Sequence, residues 1–306
     1  AMRCDAMRCD AMRCDAMRCE HHAAAKQQQR RQKNETTTTI TLDRFERTRA
    51  NHCSPHRKLL LTILLKEPMA TTAPAGAVTA LIVLDAQRDF LSSEHGALPV
   101  LDGDSLVPQL NDLLSLVRRS PATANTGVRG TFEHVVFTQD WHPSNHVSFA
   151  SQHPDVVPLT TITLPRWEQL VVPDHCVAHS DGARFHEALL LHPERETGSA
   201  SVHVVRKGSD AAIESHSAFR DIVGASTGLK ELLDRLHVSR IVLCGVHIDV
   251  LLLKTVLDAV REYPEPGAVR VVRDATRGFV PSRFDESWQQ IEAAGALLVT
   301  THDLQL

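Results

Sequence analysis

The hydrophobic pattern is sharpest at residues 79–90, TALIVLDAQRDF, where an unbroken apolar run from Ala80 to Leu84 stops at Asp85. A short, continuous run that is rich in aliphatic residues is typical of a strand buried on both faces, as in a parallel sheet. Asp85 then stands at the carboxyl end of that strand, the edge at which open α/β sheets bind ligands. An aspartate in this place can also simply cap the following turn. The pattern therefore predicts a buried strand and makes Asp85 a candidate site residue.

Apolar runs and helical spacings alternate along the rest of the chain. The predicted strands cover residues 80–84, 134–138, 202–205, 240–245, 269–272 and 297–300, and the predicted helices cover residues 105–117, 228–236, 249–262 and 282–294. Alternating strands and helices imply a parallel sheet whose strands are joined by right-handed crossovers. The prediction is an α/β fold with a doubly wound (Rossmann-like), six-stranded, mostly parallel sheet and helices on both faces.

The first part of the chain lacks this periodicity. Residues 1–20 are four near-identical copies of AMRCD, and runs of Ala, Gln and Thr follow them. Such biased segments are typical of disorder. We therefore predict that residues 1–76 are a low-complexity, disordered extension and that residues 77–306 form the folded domain. Met69 opens a short polar lead into the first strand and is a candidate for the native start.

Charge and cysteine content narrow the classes of partner. The net charge of −4 is uneven, because residues 1–68 are basic while the remainder is acidic and has no basic stripe, which argues against nucleic-acid binding. The apolar segment LLLTILL at 59–65 is too short to span a bilayer. Four of the seven cysteines lie in the AMRCD repeats, so the cysteines suit a reducing compartment better than a disulfide framework. We expect a cytoplasmic protein with a small-molecule substrate; a mitochondrial location is the alternative, and a homo-oligomer is left open.

A cluster of metal-ligand residue types follows the second predicted strand. The stretch TQDWHPSNHVSFAS contains Asp140, His142 and His146, and the later stretch VVPDHCV adds His175. One carboxylate and three imidazoles suit a divalent transition metal such as zinc, iron or manganese. Any one of these histidines could instead be an ordinary loop residue, since the chain has 18 of them. The clustering beside a strand end favours the metal site.

Lys207 ends the third predicted strand, in the stretch RKGSDAAIESHSAF. A lysine at a strand end is often only a solvated terminus. If it lies near Asp85 in a dry pocket, it can instead move a proton or stabilise a charge.

Together these stretches resemble the isochorismatase-like cysteine hydrolases, and within them the nicotinamidases. The motifs that carry the resemblance stand in the family's order, from residue 79 to the C-terminus: ALIVLDAQRDF, VVFTQDWHPSNHVSFAS, PDHCV, RKGSDAAIESHSAF and VLCGVHID…TVLDA. The resemblance implies a doubly wound, six-stranded parallel sheet. It also implies hydrolysis of nicotinamide to nicotinate and ammonia, a reaction of NAD salvage.

The resemblance also implies roles for individual residues. Asp85 matches the general base, Lys207 matches the lysine of the catalytic triad, and Phe90 matches the residue that packs on the substrate ring. The other substrate-binding positions are Val246, His247 and His216. One divalent ion, zinc by preference and iron or manganese otherwise, would be held where the pyridine nitrogen binds, by Asp140, His142, His146 and His175.

The chain departs from the family at its nucleophile. After the fourth predicted strand the family pattern is, in type, Gly-Val-Ala-Thr-Asp-Tyr-Cys-Val, whereas residues 245–252 here read GVHIDVLL, so Leu251 takes the place of the nucleophilic cysteine. A leucine side chain cannot attack a carbonyl. Backbone N–H groups at the helix start could still form an oxyanion hole. Cys244 lies inside the strand and Cys176 lies beside the predicted metal ligands as a buried thiol, so neither replaces the nucleophile readily.

Two further pocket positions differ, with Val172 where the family commonly has Trp and His216 where it often has Tyr. Three hypotheses stay open. The chain is an amidohydrolase that uses another route, such as a metal-activated water; it is an inactive relative that binds nicotinamide-like ligands or a partner; or residues 248–251 are an altered version of an active enzyme. The prediction is a nicotinamidase-like amidohydrolase that is impaired or inactive as given, with a ligand- or partner-binding protein as the alternative.

Overall fold

The computed structural model describes residues 77–118, 131–196 and 198–305, which all lie within one compact unit of the chain. Its strands are β1 (Val78–Leu84), β2 (His134–Asp140), β3 (Thr161–Thr163), β4 (Glu168–Leu170), β5 (Val202–Lys207), β6 (Val238–Val246), β7 (Val269–Arg277) and β8 (Leu297–Val299). Strands β3 and β4 pair with each other as a small antiparallel ribbon. The other six form one parallel sheet in the order β5-β2-β1-β6-β7-β8.

Helices connect these strands. They are α1 (Arg88–Leu91), α2 (Leu106–Ser115), α3 (Leu229–Arg235), α4 (Leu253–Glu262), α5 (Phe284–Ala293) and α6 (Thr301–Gln305). A π-helical turn, Ile248–Leu252, follows β6 and leads directly into α4.

Each face of the sheet carries its own apolar cluster. Along β1, Leu81 and Val83 pack into the cluster that includes α2, while Ile82 and Leu84 pack into the cluster that includes α3, α4 and α5. Successive side chains of a strand point to opposite faces, so a strand covered on both sides reads as an unbroken apolar run. The structure thus confirms the predicted doubly wound fold.

The order of the strands fixes where a ligand can bind. From β1 the chain builds the sheet outward through β2 to β5, and then returns to the other side of β1 with β6. The carboxyl ends of β1 and β6 therefore flank the point at which the winding reverses, which is where open α/β sheets form a binding crevice. Leu84 pairs in register with Gly245, so the segments after both strands start at the same edge.

All six predicted sheet strands are present, and the main differences lie at element ends. The helix predicted over 249–262 is instead the π-helical turn followed by α4. Strand β7 runs past the predicted end to Arg277 because it pairs with β6 again, Gly245 with Thr276, beyond a register shift. The β3–β4 ribbon was not predicted, since three-residue strands show no periodicity.

Two predictions are not settled by the fold. The extension predicted for residues 1–76 lies outside the described residues, and its disorder stays a prediction, as does the cytoplasmic location. Within the described ranges, no helix is both long enough and apolar enough to cross a membrane.

Candidate active site

Three ionisable side chains meet where β1, β2 and β5 end. Lys207, the last residue of β5, pairs in register with Asp140, the last residue of β2, and its Nζ donates a hydrogen bond to Asp140 Oδ1. The same Nζ lies 3.0 Å from Oδ2 of Asp85, which directly follows β1. Oδ1 of Asp85 accepts a 2.6 Å hydrogen bond from Thr138 Oγ1. The structure therefore brings the predicted Asp85 and Lys207 together and adds Asp140 to the pair.

Burial and pairing set the protonation of this cluster. Burial is the largest influence on Asp85 and raises its pKa to about 6, although the Lys207 ammonium works in the opposite direction. Burial also acts to raise the pKa of Asp140, but Lys207 and then His142 outweigh it and hold that pKa well below its ordinary value. Burial disfavours the Lys207 ammonium, but Asp140 and Asp85 outweigh it and raise the pKa of Lys207. Asp140 and Lys207 are thus fixed charges, and Asp85 can exchange a proton near neutral pH.

Three of the four predicted metal ligands converge beside this cluster. One donor atom from each of Asp140, His142 and His175 lies within 4.8 Å of the other two, and all three residues are buried. Nδ1 of His142 lies 2.8 Å from the Gly208 carbonyl oxygen, and Nδ1 of His175 lies 2.9 Å from that of Pro173. A carbonyl only accepts, so both Nδ1 atoms carry the proton and both Nε2 atoms are left as ligands.

This donor set fits a divalent cation. Two neutral imidazole nitrogens and one carboxylate oxygen leave room for further ligands, which is the composition of open transition-metal sites. Gly208 contributes by its lack of a side chain, because a Cβ there would clash with the His142 ring, and its φ of +67° also favours glycine.

The fourth predicted ligand, His146, lies beside this group with both ring nitrogens occupied. Its ring stacks on that of His142 with the centroids 4.1 Å apart. Nε2 lies 3.3 Å from the Ile213 carbonyl oxygen, so it donates there, and Nδ1 accepts from Ser148 Oγ at 2.8 Å. Burial lowers the pKa of His146 to about 4. We infer that His146 supports the His142 ring.

A cavity of about 430 Å³ opens beside the metal-ligand group. Four of the predicted site residues line it, namely His175, His216, His247 and Leu251. Most of its wall is apolar, as in many small-molecule sites, and includes Leu98, Leu159, Leu170, Val172, Phe279 and Val280. A larger open cleft of about 880 Å³ beside β5 contains none of the predicted site residues, so the chemistry points to the smaller cavity.

Two predicted substrate-binding residues lie behind the cavity wall. Phe90 is fully buried, with its ring centroid 5.4 Å from that of His175 and 4.6 Å from that of His247. The Val246 side chain packs into the apolar cluster that includes α2. Neither side chain is part of the cavity lining in the described structure.

The turn after β6 places Leu251 at the cavity. The Leu251 side chain is largely buried and lines the wall, while its carbonyl oxygen accepts a 2.7 Å hydrogen bond from Thr255 Oγ1. The Asp249 carboxylate holds the neighbouring loop, accepting hydrogen bonds from the backbone N–H groups of Phe279 at 3.1 Å and Val280 at 2.9 Å. The turn is therefore well anchored although it presents an aliphatic side chain.

Sequence reasoning missed three buried polar residues that hold the site. Glu214 lines the cavity; burial acts to raise its pKa, but His216 and then His142 and His146 outweigh it and lower that pKa to about 2. Asp89 Oδ2 accepts from the Cys176 backbone N–H at 2.7 Å, and Gln87 Oε1 accepts from the Asp140 backbone N–H at 2.8 Å. All three lie inside the motifs quoted above, so polar residues in those motifs were the available signal.

The two cysteines of the described region are buried and free. Burial raises the pKa of both Cys176 and Cys244. A raised pKa disfavours the thiolate, so neither thiol is a reactive nucleophile.

Comparisons with known proteins place the chain in a family. The Isochorismatase domain model matches residues 79–303. The chain is 36% identical over 227 residues to the nicotinamidase of Escherichia coli strain K12, which covers 73% of this chain and 95% of that protein. The chain therefore belongs to the isochorismatase-domain family. Within it, the chain is nicotinamidase-like.

Solved structures support the same assignment. The Acinetobacter baumanii nicotinamidase/pyrazinamidase is 31% identical with a TM-score of 0.63, covering 76% of this chain and 100% of that one. The yeast nicotinamidase bound to the inhibitor nicotinaldehyde is 26% identical with a TM-score of 0.61, covering 73% and 100%. The Pyrococcus horikoshii pyrazinamidase in complex with zinc is 27% identical with a TM-score of 0.53, covering 72% and 98%. These likenesses confirm the predicted fold and family.

Proposed function

We propose that this chain binds nicotinamide or a related small aromatic amide in the 430 Å³ cavity, and that hydrolysis to nicotinate and ammonia is impaired or lost. One asymmetry carries the proposal. The Asp85, Lys207 and Asp140 cluster is assembled at the sheet edge, whereas the nucleophile position at the turn after β6 holds Leu251. The nicotinamidase relatives support the substrate class and a place in NAD salvage.

The residues that remain suit amide chemistry. In an amidase that works through a thiol, a base takes the thiol proton and returns it to the departing amine. Asp85, with a pKa of about 6, can both accept and release that proton, and the adjacent Lys207 ammonium stabilises its charged form. The first N–H groups of a helix can hold a carbonyl oxygen. In the turn at Ile248–Leu252, the Val250 and Leu252 N–H groups donate to the His247 carbonyl oxygen, so the other N–H groups of the turn would have this role. The attacking atom is missing from this set of residues.

Asp140, His142 and His175 would hold one divalent ion, zinc by preference, with iron or manganese as alternatives. When bound, the ion would attract the ring nitrogen of a pyridine ligand and so orient the ring. The zinc complex of the Pyrococcus relative supports this reading. His216 and His247 would form the polar part of the ligand wall, with Phe90 behind it and Val246 contributing only backbone.

A ligand- or partner-binding protein without turnover is the second candidate. The observation that favours it is again Leu251, because an aliphatic side chain at this position leaves binding possible and removes the covalent step.

Calorimetry separates ligand binding from chemistry. The zinc-loaded chain is titrated with nicotinamide and with benzamide, which keeps the carboxamide but lacks the ring nitrogen. We expect nicotinamide to bind, and removal of zinc by a chelator to weaken nicotinamide but not benzamide. If the zinc-loaded chain binds neither compound, the proposed ligand class is wrong and the partner-binding alternative gains.

A further inference from the structure

The cavity stops short of the charged cluster. Asp85 is 0% exposed, Lys207 2% and Asp140 3%, and none of them is part of the cavity wall in the described structure. The wall does include His175, His247 and Leu251. An amide bound in the cavity would therefore not touch the base that its hydrolysis requires.

His247 is a wall residue that the sheet places beside this cluster, because Gly245, two residues before it, pairs in register with Leu84, the residue before Asp85. Its ring lies on that of Phe279, with centroids 3.9 Å apart and planes at 34°, and meets the Phe90 ring edge-on at 4.6 Å. It is only 3% exposed, and Nε2 has no hydrogen-bond partner among the residues that the structure describes. The imidazole thus lies on the cavity wall and is held there by aromatic packing, without a polar contact at Nε2.

The charged cluster lies close enough to act on this ring. Burial is the largest influence and lowers the pKa of His247 well below its ordinary value; the charges of Asp140 and Lys207 are the next largest. The ring is therefore neutral at pH 7, and it lines the cavity on a segment that begins beside Asp85. In the family pattern that this chain resembles, the residue at position 247 is alanine. Its small side chain would leave this space to a ligand.

We propose that His247 is a second block on hydrolysis, in addition to the missing thiol, because its imidazole occupies the space through which an amide group would reach Asp85 and Lys207. This inference rests on the proposed function, since that function defines the reaction centre. It makes His247 the residue that sets how deeply a ligand enters. A small aromatic amide binds in the outer cavity with its carboxamide stopped at His247.

Variants that remove or keep the ring test this block. In a Leu251→Cys chain, His247→Ala empties the space and His247→Phe is the matched control that keeps an aromatic ring. The readouts on full-length, zinc-loaded protein are kcat and KM for ammonia release from nicotinamide. We expect Leu251→Cys alone and Leu251→Cys with His247→Phe to stay near background. Leu251→Cys with His247→Ala should gain at least about tenfold in kcat/KM, mainly through kcat, because only this chain has both a thiol and an open path.

Binding provides a readout that needs no turnover. With Leu251 in place, His247→Ala should bind nicotinamide at least about fivefold more tightly than the wild type, and His247→Phe should not. Pyridine, which lacks the carboxamide, should bind equally to all three. Melting temperatures confirm folding, and His247→Ser replaces His247→Ala if the latter unfolds.

The outcomes separate this inference from the function on which it rests. Equal nicotinamide affinities and equal kcat/KM in folded chains with and without the ring overturn the block. Leu251→Cys alone reaching the rate of the Escherichia coli relative also overturns it and leaves the proposed function standing. If none of the three Leu251→Cys chains turns over, the nicotinamide affinities of the His247 variants decide whether the block exists. Failure of every variant to bind nicotinamide rejects the proposed function itself.

Discussion

The site has two halves that are stabilised by different kinds of contact. The charged half consists of Asp85, Asp140 and Lys207 at the carboxyl ends of β1, β2 and β5, where the buried Lys207 ammonium pairs with both carboxylates. The turn half, residues 246–252, follows β6 and is held by backbone hydrogen bonds and by aliphatic packing. The charged half keeps the composition that the family resemblance implies, whereas the turn half has Leu251 and His247 at the positions where that resemblance implies a thiol and a small residue.

This difference shows which changes the fold tolerates. Removing one member of a buried ion cluster leaves an uncompensated charge and destabilises the protein strongly. Replacing a thiol by leucine at a buried helix start leaves no unpaired charge, and Thr255 Oγ1 still donates to the Leu251 carbonyl oxygen. The charged side chains therefore serve both fold and reaction, whereas the side chain at position 251 matters to the reaction alone. Substitutions in the charged half are therefore expected to destabilise the fold, while the nucleophile in the turn half can be lost without loss of structure.

The largest expected effect concerns turnover. Wild-type protein should release ammonia from nicotinamide about 10⁴-fold or more slowly than the Escherichia coli relative, assayed side by side, because loss of a covalent nucleophile typically lowers turnover by about 10⁴–10⁶. Asp85→Asn should change this residual rate little, since no thiol proton has to be removed. Turnover at an ordinary enzyme rate, lost in Asp85→Asn, would show that the chain uses a non-covalent route.

The next effect is on stability. Lys207→Met keeps a long, unbranched side chain but leaves Asp85 and Asp140 without their cation. It should lower the free energy of unfolding by about 3–5 kcal/mol. The matched control is Lys230→Met, which removes the partly exposed 2.6 Å pair with Asp234 and should cost under about 1 kcal/mol. Urea denaturation of metal-free protein at pH 7 measures both. Similar losses of unfolding free energy in the two variants would mean that the charged half contributes no more to stability than an exposed ion pair does.

Zinc affinity should distinguish a grouped metal ligand, His142, from the neighbouring His146. His142→Ala removes one of the three grouped donors and should abolish 1:1 binding of zinc. His146→Ala removes only the ring stacked on His142 and should weaken affinity by about tenfold, the lower end of effects seen for supporting residues. Elemental analysis and chelator competition on protein without a polyhistidine tag provide the measurement. Equal losses in both variants would restore a four-ligand site.

The sheet and the charged half could be predicted because their signals are local. A buried parallel strand reads as an apolar run, and the residue after it reaches the carboxyl edge whatever the rest of the chain does. Asp85, Asp140 and Lys207 meet for that reason alone. The metal-ligand residues cluster near one strand end, so their approximate grouping was also accessible.

Contacts between distant segments could not be predicted in this way. His146 is not one of the three grouped donors, because the carbonyl oxygen of Ile213, from the loop after β5, accepts from its Nε2. The His247 ring lies on the cavity wall because it packs against Phe90 and Phe279, from the segments after β1 and β7. Each depends on side-chain orientation across the sheet edge, which one sequence does not encode locally. Glu214 was missed because only the surrounding histidines, which lower its pKa, mark it as a site residue.

The smallest expected effect concerns the pH dependence of stability. Folding raises the pKa of Asp85 from 3.8 to about 6, so between these values the folded state binds a proton here that the unfolded state has released. The stabilisation from Asp85 is therefore fully present below pH 3.8 and is lost as the pH rises through about 6. The lowered pKa values of Asp140 and Glu214 act in the opposite direction, but they are common to both chains and cancel in a difference between wild type and Asp85→Asn. We expect wild type minus variant, measured by denaturant titration between about pH 4.5 and 7.5, to fall as the pH rises. Asp155→Asn, at an exposed position, corrects for the removal of one carboxylate. A difference that grows with pH would mean that Asp85 is a fixed charge in the folded protein, and its carboxylate would then be a weaker proton acceptor than a pKa of about 6 implies.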